Sequence, residues 1–135
     1  MPRYLADTSA WARSSRVADR WQTLIEDDAV AICTPVALEL LYSARGKSDY
    51  RTLASDLEGF ASLPLDERAT TMALNTQSEL AARSQHRGSK PVDLLIAAVA
   101  SVHGMTLLHY DRHFDAIARV TGQPMEWLAR RGSLD

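Results

Sequence analysis

Two short apolar runs each end in an aspartate: Tyr4-Leu5-Ala6 leads into Asp7, and Leu107-Leu108-His109-Tyr110 leads into Asp111. Runs this brief and this apolar suit buried strands of a parallel sheet, which is covered on both faces. Between them the chain alternates helical periodicity with further short apolar segments, the signature of an α/β domain. An acid directly after such a strand lies at the carboxyl edge of the sheet, where open α/β folds gather their ligands. The pattern therefore constrains both the architecture and the place to look for chemistry.

The expected strands are Arg3–Ala6, Ala29–Cys33 and Thr106–His109, with Leu63-Pro64-Leu65 and Met125–Leu128 as two brief additions. Ser14 or Ser15 caps a helix with the stripe Val17, Trp21, Leu24 and Ile25. Thr34-Pro35 opens a helix that runs to about Ala44 and stops at Gly46. Ser48 or Asp49 starts another, and Asp66 caps a long one that Gly88 ends. Helices at about 92–103 and 112–121 close on Gly104 and Gly122. No repeat, low-complexity stretch or linker divides the chain, so residues 1–135 read as one domain with a sheet of four to five short parallel strands between helices. The longest apolar run, residues 94–100, is far too short to span a bilayer. No basic-then-apolar leader precedes Asp7, and the single cysteine, Cys33, has no partner for a disulfide; both fit a cytoplasmic protein with Cys33 buried on a strand.

Two more acids join the strand-end pair. Asp93 opens the apolar stretch Leu94–Ala100, and Glu39 is embedded in Val36-Ala37-Leu38-Glu39-Leu40-Leu41. Singly, Asp7 reads as a turn cap, Asp93 as a first-turn helix acid and Asp111 as an N-cap. Glu39 is expected to be enclosed by its apolar neighbours, where it needs a buried cationic side chain or a metal ion. Jointly, carboxylates gathered at one rim repel by roughly 1–4 kcal/mol per close pair, and some take up protons. A hard divalent cation, Mg²⁺ or Mn²⁺, reconciles them, and leaves room for a phosphate. That points to hydrolysis of a phosphodiester by an activated water, and no Ser-His-Asp or Cys-His constellation competes with it.

Thr8 and Ser9 supply hydroxyls beside Asp7, and Asp115 sits one helical turn after Asp111. Arg83, Arg87 and Lys90, with His86 among them, form the best local basic cluster, and Arg112 follows Asp111; these are the candidates for guiding an RNA backbone. The net charge of −2 does not oppose this, because with the four acids set aside 15 cations outnumber the rest of the 17 acids. His109 and His113 have the spacing of a zinc pair, but a strand-to-helix break is expected between them. Trp11, Trp21 and Trp127 read as core or subunit-contact residues.

The segments Asp7-Thr8-Ser9-Ala10-Trp11, Leu38-Glu39-Leu40-Leu41, Asp93-Leu94-Leu95-Ile96-Ala97-Ala98 and His109-Tyr110-Asp111-Arg112-His113-Phe114-Asp115 together resemble the PIN-domain ribonucleases, and among them the VapC-type toxins of bacterial toxin–antitoxin pairs. The resemblance covers essentially the whole chain. It implies a PIN-like α/β/α sandwich and an acidic quartet of Asp7, Glu39, Asp93 and Asp111. It also implies Mg²⁺ or Mn²⁺ as cofactor and endonucleolytic hydrolysis of structured RNA such as tRNA or rRNA. A homodimer and a VapB-type antitoxin that blocks the pocket are the implied partners. One departure is visible: relatives often carry an acid where this chain has His113. Two other readings stand beside this one, a phospho-accepting receiver-like signalling domain and a catalytically silent, RNA-binding PIN relative.

Overall fold

Five strands form one parallel sheet in a computed structural model that describes every residue, Met1–Asp135. They are β1 (Tyr4–Ala6), β2 (Val30–Cys33), β3 (Ala61–Leu63), β4 (Thr106–His109) and β5 (Met125–Trp127), in the spatial order β3-β2-β1-β4-β5. The helices are α1 (Thr8–Arg13), α2 (Ala18–Glu26), α3 (Thr34–Tyr42), α4 (Lys47–Leu57), α5 (Glu67–Ala82), α6 (Pro91–Val102) and α7 (Phe114–Thr121). Neighbouring residues on a strand point to opposite faces, and the two cores follow that alternation. Leu5, Ile32 and Leu107 pack with α5, α6 and α7 on one face. Ala6, Val30 and Leu108 pack with Ala10 of α1 and Leu24 of α2 on the other.

The strand order reverses beside β1. From β1 the chain winds outward through β2 and β3, then returns to place β4 on the other side of β1, with Leu5 paired to Leu107 and Ala6 to Leu108. The two connections leave this pair in opposite directions, so a crevice opens beyond the carboxyl ends of β1 and β4. Asp7 and Asp111 follow those two strands, and the Asp7 N–H still donates to the Leu108 carbonyl at 3.0 Å. The seven-residue apolar run of α6 is explained by location: Ile96 through Ala100 are buried under the sheet against α5.

Several boundaries differ from the sequence reading. The segment after Asp7 is a short helix, α1, followed by a 3-10 turn over Ser14–Val17, and α2 begins only at Ala18. Six residues are too few for periodicity to show. Ile25, placed in the apolar stripe, is on the solvent side. The third strand is Ala61–Leu63 rather than Leu63–Leu65, because Ala61, Ser62 and Leu63 pair with β2 whereas Pro64 has no N–H to offer a ladder. The long helix stops at Ala82, not at Gly88. Ser84 turns left-handed at φ 58°, the Gln85 N–H reaches back to Leu80 and the Ser84 N–H to Ala81, a helix-ending pair of bonds usually built around glycine. The last helix starts at Phe114, two residues later than expected.

Candidate active site

Asp7 is 3% exposed at the end of β1 and caps α1, with Oδ1 accepting from the Ser9 hydroxyl at 2.7 Å and from the Ala10 N–H at 3.1 Å. Burial dominates its titration and pushes it up to about 7; the bonds from Ser9 and Ala10 pull down, and the charge of Asp93 pushes further up. Ser9 does a second task. Its hydroxyl oxygen accepts from the Tyr110 N–H at 2.8 Å, so one side chain ties the end of β4 to the carboxylate at the end of β1.

Asp93 sits in the first turn of α6, where unpaired backbone N–H groups favour an anion. It is nevertheless raised to about 6, first by burial, then by the charges of Asp111 and Glu39, with Lys90 and His113 opposing. The charge of Asp93 in turn acts on Asp7. Asp7 and Asp111 lie beyond the ends of β1 and β4, and Asp93 is the acid on which the charges of both Asp111 and Glu39 act.

Glu39 does not lie where the sequence placed it. The side chain is half-buried, its neighbours Leu38 and Tyr42 are 62% and 90% exposed, and neither Arg nor Lys pairs with it. The Thr8 hydroxyl donates to Glu39 Oε1 at 2.5 Å instead. One face of the helix packs on the core through Val36, Ala37, Leu40 and Leu41, and the other, with Leu38 and Tyr42, is exposed; Glu39 lies between them, so enclosure was the wrong inference from composition. Asp111 Oδ1 accepts from the His113 N–H at 2.9 Å and lies 2.8 Å from His113 Nδ1. His113 thus grips Asp111 through both its backbone and its ring. The Asp111 N–H donates to Nδ1 of His109 at 3.1 Å. His109 is buried between the rings of Phe114 and Trp127, and burial lowers its pKa, which keeps the imidazole neutral and its Nδ1 an acceptor. Only its run-ending position in the sequence signalled His109, and its orienting contact was not foreseen.

Asp115 is bonded to Arg131 at 2.9 Å and faces a neighbouring cleft. Lys90 and Arg112 line a cleft of about 520 Å³ that also includes Ser9 and Asp111. Arg83 and Arg87, in the turn after α5, are exposed and do not line it. Trp11 packs edge-on to Trp21 and Phe60, a core role as expected. Cys33 is buried on β2, with its thiol pushed up to about 11 mainly by burial.

As they stand, no three His, Cys, Asp or Glu side chains are close enough to grip an ion together. The gathering is looser than a four-ligand cage. The donor set still suits a hard cation. Mg²⁺ uses one or two carboxylates and keeps several waters, and Asp7 with Asp93 supplies two all-oxygen donors whose negative forms burial and mutual repulsion disfavour. A cation there lowers both pKa values.

The profile of the PIN domain matches residues 4–120. Ribonuclease VapC18 of Mycobacterium tuberculosis is 44% identical over 135 residues, covering 97% of this chain and 98% of that protein. Ribonuclease VapC51 of the same organism is 44% identical, covering 98% of each. Among solved structures, DNA-bound VapBC from Salmonella typhimurium superposes with a TM-score of 0.75 at 20% identity, covering 96% of this chain and all of that one. VapBC-5 from Mycobacterium tuberculosis gives 0.61 at 25% identity, covering 93% and 98%. A receiver-like signalling domain is set aside by these matches. With its sheet order, its rim acids and this likeness over nearly its full length, the chain belongs to the PIN-domain family, alongside the VapC ribonucleases.

Proposed function

We propose that this protein is a divalent-cation-dependent endoribonuclease and the toxin of a toxin–antitoxin pair, cutting structured RNA and so halting translation. The observation that carries the reading is the pair Asp7 and Asp93, one carboxylate buried at the end of β1 and one half-buried at the start of α6, raised to about 7 and about 6. Structural acids are rarely left so unfavourably charged, whereas phosphoryl-transfer sites are built this way. The names of the relatives, ribonuclease for the similar sequences and VapBC for the similar folds, support the same class.

Asp7 and Asp93, with Glu39 and Asp111 nearby, would hold Mg²⁺ or Mn²⁺, which when bound would supply charge neutralisation at the phosphate and activation of the attacking water. The chain's own residues do the rest. Asp7 is fixed by Ser9 and by the N-terminus of α1, and the first turn of α6 carries Asp93. Thr8 turns Glu39 toward α1, and His109 and His113 fix Asp111 from its backbone and side chain. Lys90 and Arg112 stand ready for the phosphates of the bound strand.

The α3 side of the rim offers a different surface. Leu38, Tyr42, Leu65, Val92 and Leu95 line an apolar cleft of about 510 Å³ that also touches Thr8 and Glu39. Exposed apolar area of this kind marks a protein-contact site, and an antitoxin segment seated there also covers the acids. The protein is further proposed to work as a homodimer in the cytoplasm; no helix is long and apolar enough to cross a membrane.

The test is cleavage of purified tRNA and rRNA in Mg²⁺, in Mn²⁺ and in EDTA, by the wild type and by Asp93→Asn. Cutting that needs the cation and falls at least ~100-fold in the variant is expected. RNA bound tightly in Mg²⁺ but never shortened would instead establish the silent RNA-binding relative.

A further inference from the structure

The cleft beside Asp111 does not end there. A second cleft of about 590 Å³ adjoins it, and the two share Arg112, His113 and Arg131 as common walls. Together they make one bent furrow that starts at Ser9 and Asp111, passes Arg112 and continues along α7 to Arg119. Its charges are unevenly matched. Every acid in it already has a partner: Asp111 has His113, Asp115 has Arg131, and Asp135 accepts from the Tyr110 hydroxyl at 3.1 Å. Lys90, Arg112 and Arg119 line the furrow without an ion-pair partner, although the charge of Lys90 also acts on Asp93.

The furrow's tyrosine and tryptophan rings are covered. The Arg13 guanidinium lies 4.8 Å from the centre of the Tyr110 ring, and that of Arg131 lies 5.4 Å from the centre of Trp127. Neither ring is open for a base to stack on. The opposite, α3 side of the rim is apolar. A polyanion running from the acids along the furrow therefore meets cations, and the one open ring it passes, His113, is held by Asp111.

We infer that this furrow is a backbone-binding subsite for the single-stranded RNA flanking the cut, with Lys90, Arg112 and Arg119 contacting successive phosphates and Arg131 held ready by Asp115 and Trp127. It rests on the ribonuclease reading for the identity of the polyanion. Phosphate contacts position a strand without selecting its sequence, so the subsite contributes affinity and direction but not base choice. The C-terminal segment around Arg131 and Asp135 is one of its walls.

The experiment is fluorescence polarisation of labelled single-stranded RNA of about twelve nucleotides, in EDTA, across roughly 50–200 mM salt. Wild type is compared with Arg112→Glu, Arg119→Glu and, as an equal charge change on the distant α4, Arg51→Glu. The furrow variants are expected to weaken binding about tenfold or more at the lower salt, against about twofold for Arg51→Glu. Arg119→Ala should flatten the salt slope by about 0.7, the share of one phosphate on a single strand. The loss should be equal for uridine-rich and adenosine-rich RNA. Furrow variants no weaker than Arg51→Glu would overturn the subsite, as would a polyglutamate peptide competing as well as RNA, which would make it a surface for an acidic protein. Binding in EDTA is read without cleavage. A wild type that cuts nothing refutes the ribonuclease reading alone, and a wild type that cuts while the furrow variants bind normally refutes the subsite alone.

Discussion

Asp7 serves two purposes that conflict. It caps α1, which any good acceptor can do, and it is a carboxylate in a place that resists negative charge. Its folded-state pKa near 7 lies above the ordinary 3.8, so between about pH 4 and pH 7 the folded chain holds a proton that the unfolded chain releases. That contribution to stability is complete below about pH 4 and is lost as pH rises through about 7. Asp7→Asn keeps the acceptor for Ser9 and Ala10 and removes the charge. We expect it to be more stable than wild type at pH 8 by on the order of 1–3 kcal/mol, read by thermal or urea unfolding, while RNA cleavage falls at least ~100-fold. A fold weakened by the same change would contradict this account of Asp7. The pH profile follows with the opposite sign: in the proposed mechanism Asp7 and Asp93 act ionised, so kcat/KM measured at low, fixed Mg²⁺ should climb from pH 5.5 to 8, with the limb lying below about 7 if the cation binds there.

At the scale of elements, the site is held by contacts between segment ends. Ser9 joins the end of β4 to Asp7 through the Tyr110 N–H. Ser9→Ala leaves that N–H without its acceptor and removes a bond that holds Asp7 down. The variant should lose about 1–2 kcal/mol of stability, and its pH limb should move upward; an unchanged limb would show that Ser9 does not tune Asp7. On the other side of the rim, Leu38→Glu or Tyr42→Glu should abolish binding of the cognate antitoxin, assayed by co-purification, and leave cleavage of free RNA within about twofold of wild type, because both side chains already face solvent. Much of this was legible in residue order. Strands ending at Ala6 and His109 and the cap at Asp66 follow from local composition. Glu39 shows what composition cannot give, since an apolar helix can face a core or a partner with the same pattern. Ser84 took a left-handed turn usually given to glycine, and α1 was too short to have a period.

At the scale of the whole molecule, topology does the work. A β3-β2-β1-β4-β5 order brings residues 7 and 111 to adjacent strand ends, and α6 delivers Asp93 to the same crevice. The neighbouring positions of Asp7 and Asp111 could be read from their places after two apolar strands; Asp93, at the start of a helix, gave no such signal. The spacing of these acids could not be read either, and they gather less tightly than a full ligand cage. The furrow was also hidden, because Arg13, Arg112, Arg119 and Arg131 come from three parts of the chain and only folding aligns them. The central claim is that this rim grips a divalent cation through Asp7 and Asp93. Calorimetric titration of Mn²⁺ into the wild type and into Asp93→Asn at pH 8 measures that grip directly. The wild type should bind the ion and Asp93→Asn should bind it at least ~100-fold more weakly; equal affinity in the two proteins, or no binding by the wild type at millimolar Mn²⁺, would contradict it.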